Sequence, residues 1–165
     1  MSLQPGTILI SSPVLEDPNF DKVVIAICEL NTKGAMGFVI NKPYTRSFNE
    51  LVEFRNCKTF PLYEGGPVEN ESLYFIHRGP DIIEHCSLIA DGIYLCGDFK
   101  QAVAHINTVI HPEDDIKLFI GYCGWDPGQL EAEIAEGSWM VTNAILTLVF
   151  EKNANTIWDD LYAGQ

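Results

Sequence analysis

The runs KVVIAICEL at 22–30 and AMGFVIN at 35–41 constrain the fold more than any other part of the chain. Both are apolar and rich in strand-forming residues. Asn31-Thr32-Lys33-Gly34 between them is a turn sequence, so the pair reads as a β-hairpin. A strand with one face in water alternates apolar and polar residues, and VVIAIC does not. Its two faces are both apolar, which calls for a central place in a sheet with cover on each side.

The rest of the chain supplies partners for such a sheet. TILISSP is a short first strand stopped by Pro13, and LYFIHR (73–78) is another. CSLIADGIYLCGD (86–98) is a second hairpin turning at Asp91-Gly92, and IKLFI (116–120) is a further strand. Ser47 with Glu50 forms a capping box for a short helix around FNELVEF. Asp98 caps a second helix in which Phe99, Val103, Ile106 and Ile110 recur at helical spacing. Residues 55–72, centred on YEGGPVENES, read as a loop. Strands arrive mostly as hairpins rather than alternating with helices, which argues for an α+β fold over a doubly wound sheet. At 165 residues, without repeats or a linker, the chain reads as a single domain over 1–165.

Charge narrows the partners. The net charge is −13, and residues 1–60 are balanced with six acids and six bases, so the whole excess lies beyond residue 60. Such a surface repels phosphate backbones, which argues against direct nucleic-acid binding. Five cysteines at irregular spacing, without a CxxC pair, do not form a secreted disulfide framework. No signal peptide is visible, and the weakly polar stretch at 138–150 falls short of the roughly 20 residues of a bilayer span. The expectation is a cytoplasmic protein with no membrane association. His85-Cys86 with Cys96 or Cys123 matches no zinc spacing, and neither a P-loop nor a GxGxxG fingerprint occurs, so no metal and no cofactor are expected.

The densest stretch is GYCGWDPGQLEAEIAEGSW at 121–139. Asp126-Pro127-Gly128-Gln129 reads as a capped helix start, with Asp126 as N-cap, Pro127 at the first helical position and Gln129 completing a capping box. Gly137 suits the left-handed residue that closes the helix. Glu131, Glu133 and Glu136 read as its solvated face, opposite Leu130 and Ile134. Gly121-Tyr122-Cys123-Gly124-Trp125 has the strand, turn, helix order of a nucleophile elbow, which makes Cys123 the one candidate nucleophile. Against that, the bulky Trp125 stands where the elbow requires glycine, and none of the four histidines sits in a recognisable motif. The alternative uses backbone N–H groups of the glycine-rich turn, with Tyr122 and Trp125 as the walls of a pocket. Glu64-Gly65-Gly66-Pro67 is a second tight turn of the same kind.

These landmarks resemble the AlgH-like (YqgE) family of bacterial proteins. The resemblance rests on Gly6, Pro13 and Asp17-Pro18-Asn19-Phe20, on Gly34-Ala35-Met36-Gly37 leading to Val39-Ile40-Asn41-Lys42-Pro43, and on Gly65-Gly66-Pro67-Val68. It continues through Gly121-Tyr122, Gly124-Trp125, Gly128-Gln129-Leu130, Glu133 and Trp139, with Phe150 and Trp158 fitting the C-terminal pattern. The resemblance implies a cytoplasmic α+β protein with a mixed, largely antiparallel split sheet, partly barrel-like, and flanking helices. The family takes its name from a proposed transcriptional regulator, and no activity or cofactor is established for it as a class. Cys123 stands where the family usually carries a small residue such as alanine, which weakens the elbow reading. The expectation is therefore a non-enzymatic binding or regulatory protein with a small molecule or another protein as its partner. Its site would form from Asn41, Pro43, Gly65, Gly66, Pro67, Gly121, Tyr122, Gly124, Trp125 and Gln129. The alternatives are a thiol-dependent hydrolase using Cys123 and an interaction module using the acidic surface.

Overall fold

The computed structural model describes residues 2–15, 17–151 and 154–165. Its nine strands are β1 (Ile8–Ser11), β2 (Val24–Asn31), β3 (Gly34–Val39), β4 (Leu62–Glu64), β5 (Val68–His77), β6 (Ser87–Ala90), β7 (Ile93–Leu95), β8 (Ile116–Trp125) and β9 (Trp139–Val141). Three helices, α1 (Phe99–Thr108), α2 (Gln129–Ala135) and α3 (Ile157–Ala163), flank them. The strands form one open sheet in the order β6-β7-β5-β8-β3-β2-β1-β9. All neighbours are antiparallel except β4, which lies parallel to β8.

Strand β8 joins the two halves of this sheet. One side pairs with β5, from His77 opposite Ile116 to Val68 opposite Tyr122. The other side carries β4 from Leu118 to Ile120, and then β3 from Cys123, opposite Gly37, to Trp125, opposite Ala35. The α+β class and the split, largely antiparallel sheet are thus as expected, with the barrel left unclosed between edge strands β6 and β9.

The apolar run that opened the sequence lies where its two faces require. Strand β2 sits between β1 and β3, and Val24 to Ile27 have no exposed surface. Val24 and Ala26 point into a core with Ile8, Ile10, Phe38, Phe119 and the α3 residues Ile157 and Trp158. Ile25 and Ile27 point into a second core with Leu9, Val39, Trp125, Leu130 of α2 and Trp139. Burying each of Val24, Ile25 and Ile27 is worth about 1.5–3 kcal/mol, so this one strand anchors both layers. A third core, beneath α1, joins Ala102 and Ile106 to Phe75, Leu118 and Phe48.

Several local expectations are corrected. Ser47 caps no α-helix: its Oγ donates to Asn49 Oδ1 at 2.6 Å and Glu50 Oε1 at 3.3 Å, and the segment folds as two 3-10 turns, Phe48–Glu50 and Val52–Phe54. The backbone N–H of Phe48 is bonded to Phe60 O at 2.8 Å, and its ring is fully buried, so tertiary packing overrides the cap signal. Residues 55–72 are not all loop, since β4 and the first half of β5 fall there. Their pairing partner β8 is remote in sequence, and VENES shows no apolar alternation. GYCGW is not a turn, because β8 runs through it to Trp125. Finally, α2 begins at Gln129 rather than Pro127, because Gly128 at φ +81° breaks the helical path. Other turn signals hold. Asp98 accepts from Gln101 N at 3.0 Å, and Asp91 and Gly92 both take positive φ in the hairpin. Gly137, at φ +88°, closes α2 with Ser138 N donating to Glu133 O at 2.9 Å. Ile110 lies past the end of α1 and is 83% exposed, so it leaves the apolar stripe.

Candidate functional site

Of the segments that carry the predicted residues, Gly65-Gly66-Pro67 and residues 121–129 pack together at the bend of β8, while Asn41 to Pro43 runs beside β4, with Glu64 N–H donating to Lys42 O at 2.8 Å. Gly65 bridges the gap where β3 and β4 change over, its N–H donating to Ile120 O and its carbonyl accepting from Val39 N–H, both at 2.8 Å. Gly121, at φ +73°, and Gly66, at φ +157°, pack backbone to backbone. A Cβ on Gly66 would overlap the Tyr122 carbonyl, and one on Gly121 would overlap the Gly66 carbonyl. Only glycine permits both the conformation and the approach. The space beside Gly66 is filled by the main chain of Tyr122 and Cys123, and that beside Gly121 by the main chain of Gly66.

The ten predicted residues divide into a frame and a lining. Asn41 belongs to the frame: Oδ1 accepts from Val24 N–H and Nδ2 donates to Lys22 O, both at 2.9 Å, tying the end of β3 to the start of β2. Pro43 forms an isolated bridge with Tyr63. Gly65, Gly66 and Gly121 complete the frame. Pro67, Tyr122, Gly124, Trp125 and Gln129 line two adjoining clefts, of about 560 and 370 Å3, which share Val68, Gly124, Trp125 and Gln129.

A residue read from the sequence as solvated organises the smaller cleft. Glu133 Oε1 accepts the indole N–H of Trp125 at 3.0 Å and of Trp139 at 2.9 Å, and Oε2 accepts from Gln129 Nε2 at 3.1 Å. It is half-buried rather than solvated. Gln129 and Glu133 stand four apart on α2 and so look the same way, a spacing visible in the sequence. The two indole donors come from β8 and β9, which only the fold brings to that carboxylate. Gln129 Oε1 turns back to accept from Asp126 N–H at 2.9 Å, the half of the expected capping box that does form.

Aromatic rings and carboxylates make up the rest of the walls. Trp139 meets Phe20 edge-on at 5.2 Å and Trp125 edge-on at 6.2 Å, at an interplanar angle of 83°. Asp17, Glu133 and Glu136 line the smaller cleft, Glu29 and Asp126 the larger, and among the described residues no lysine or arginine lines either. Cys123 lies 2% exposed in mid-strand, with Sγ 3.5 Å from Gly65 O, and burial pushes its thiol up to about 12. That geometry offers neither the exposed turn nor the thiolate of a nucleophile elbow. Among the described residues no group of three or more His, Cys, Asp or Glu side chains is placed to hold a metal ion. No described helix is long and apolar enough to cross a membrane.

A larger cavity of about 830 Å3 lies elsewhere, between the Tyr44–Phe54 segment, β5 and the start of α1. None of the ten predicted residues lines it, and its charged lining is of mixed sign, with Arg46 beside Glu53 and Glu71.

Together these features define an open-sheet α+β protein with acidic, aromatic clefts on either side of one tryptophan. The AlgH-like family profile matches residues 8–165, and the chain belongs to that family. A UPF0301 protein of Chlorobaculum tepidum is 35% identical over 164 residues, spanning 94% of this chain and 83% of its own length. One from Cytophaga hutchinsonii is 36% identical, spanning 96% and 88%. Among solved structures, the AlgH protein from Pseudomonas aeruginosa superposes with a TM-score of 0.77 at 26% identity, covering 99% of this chain and 92% of that one. Protein DIP2367 from Corynebacterium diphtheriae gives 0.78 at 22% identity, a likeness of fold, over 100% and 88%.

Proposed function

We propose that the protein is a non-enzymatic binding protein that seats an organic cation, such as a small amine or the basic side chain of a protein partner, in the clefts flanking Trp125. The observation that carries this reading is the lining: five carboxylates, the Phe20, Trp125 and Trp139 rings and, among the described residues, no cationic side chain. A cation against an aromatic face gains about 0.5–1 kcal/mol when exposed and about 2 when desolvated, and carboxylates add to it. The larger cavity at Tyr44 offers no such agreement of sign. The regulatory association of the family name fits a ligand or a basic protein partner better than direct DNA contact, given the net charge of −13.

Tryptophan fluorescence tests the reading directly, since two of the three tryptophans wall the cleft. Titration with spermidine and with choline at low salt is expected to give a saturable response that weakens as salt is raised. E133Q, which keeps an acceptor for both indoles but removes the charge, is expected to weaken it several-fold. Saturable binding of citrate, with no response to either cation, would overturn the reading.

A further inference from the structure

At the far end of β8 from Trp125, Lys117 is 8% exposed. Its Nζ donates to Ile40 O at 2.8 Å and to Val149 O at 3.0 Å, and it stands 3.9 Å from the centroid of the Tyr63 ring. These partners are carbonyl oxygens and a ring rather than a carboxylate. Lys117 lines a cavity of about 160 Å3, together with Phe60, Tyr63, Val149 and Phe150, with Glu113 and Glu151 also in its wall. Burial pushes the ammonium down to about 7. At pH 7 an ordinary lysine is neutral in roughly one molecule in 2,500, and one titrating at 7 is neutral in about half. The neutral amine keeps both carbonyl contacts, because it still carries two N–H groups. Its lone pair is then free of the two carbonyls, and Lys117 itself belongs to the cavity wall. An amine desolvated beside an apolar pocket is the arrangement that makes lysine a nucleophile toward carbonyl compounds.

We infer that Lys117 is a covalent capture site for small aldehydes, with Nζ as the nucleophile and the adjoining cavity as the seat of the carbonyl compound. The nitrogen lone pair adds to the carbonyl carbon, and one amine proton passes to the carbonyl oxygen to give a carbinolamine. That oxygen then leaves as water with the second amine proton, and a C=N double bond replaces the C–O bond. Nothing is oxidised or reduced, and addition of water reverses the step. Glu113 and Glu151, which share the cavity wall, are the carboxylates assigned to the proton transfers. When the product is protonated, it keeps one N–H for one of the two carbonyls. The cavity has about five times the volume of one water in the liquid, which suits an aldehyde of about two to four carbons.

The test is reductive trapping on the whole protein at pH 7, with propionaldehyde as the probe and cyanoborohydride to fix the imine. Peptide mass mapping then follows each lysine in time. Lys117 is expected to be alkylated at least about tenfold faster than the exposed Lys33 and Lys100, with a rate that saturates in aldehyde. With 2-naphthaldehyde, too large for the cavity, the exposed lysines should still react and Lys117 should not. Labelling of Lys117 at or below the rate of the exposed lysines, labelling only in urea, or equal labelling by both aldehydes without saturation would each overturn the inference.

Discussion

Replacing Glu133 by alanine removes the acceptor for three N–H groups at once. Trp125 and Trp139 are 8% and 3% exposed, so little water can reach their indole nitrogens once the carboxylate is gone. A buried donor left unsatisfied costs about 1–3 kcal/mol. The space vacated by a half-buried side chain admits some solvent, and Gln129 Nε2 already faces outward. The expected loss is therefore about 2–4 kcal/mol, a large share of the roughly 5–15 that holds a domain of this size. E133Q should lose only about 1 kcal/mol, because one amide oxygen can still accept both indole bonds; what disappears is their charge assistance and the exposed bond from Gln129 Nε2, which then faces an amide N–H group. In urea, with a slope near 2 kcal/mol per M, alanine should lower the midpoint by about 1–2 M and glutamine by about 0.5 M. Tryptophan emission gives the transition and a local signature together, since loss of the shared acceptor alters the surroundings of two of the three indoles. Midpoints for both variants within about 0.2 M of the parent would refute the reasoning, showing that Glu133 rests beside the indoles without holding them.

Two further outcomes follow from buried titrating groups. Cys123, with its thiol pushed up to about 12, should resist iodoacetamide at pH 8 while the half-buried Cys57 and Cys86 react, and should label fully once the protein is unfolded; peptide mapping decides it. Lys117 titrates near 7 in the fold and near 10.4 in the unfolded chain, so between those values the unfolded state binds the extra proton and stability rises with pH. The urea midpoint of the parent should therefore gain on that of K117M from pH 7 to pH 10, by about 3.5 kcal/mol in stability, with no such drift below pH 6.

Much of the fold was readable because local and tertiary preferences agree there. The apolar run in β2, the NTKG turn, the Asp91-Gly92 hairpin and the Asp98 cap each carry their reason within a few residues, and the family landmarks supply the split sheet. The misreadings fall where the deciding partner is distant. VENES joins the strand because Val68 pairs with Tyr122 of β8 ahead of a register shift that ends at Leu73, and Ser47 loses its capping box because Phe48 is claimed by Phe60. GYCGW resembles a turn in composition, yet Gly121 merely bends a strand that β3 then extends by pairing at Cys123 and Trp125. The candidate site divides in the same way. Glycines at the β8 bend are conspicuous in sequence but serve the main chain, whereas Glu133 looks like one more surface acid. Its role depends on two tryptophans from separate strands, and no spacing pattern signals such a meeting.

The placement of β8 also governs how the chain can assemble as it is made. Strands β1, β2 and β3 can pair as soon as they are synthesised, but the neighbours of their outer edges come late. β3 waits for residues 123–125, and β1 waits for residues 139–141. At about 5–20 residues per second, the interval from the end of β3 to the start of β8 lasts about 4–15 s. Throughout it, a three-stranded meander carries two bare edges and an uncovered apolar face, a template for adhesion to neighbouring nascent chains. The central strand that unifies the finished sheet thus makes the growing one dependent on slow synthesis, dilution or a chaperone until its last third has emerged.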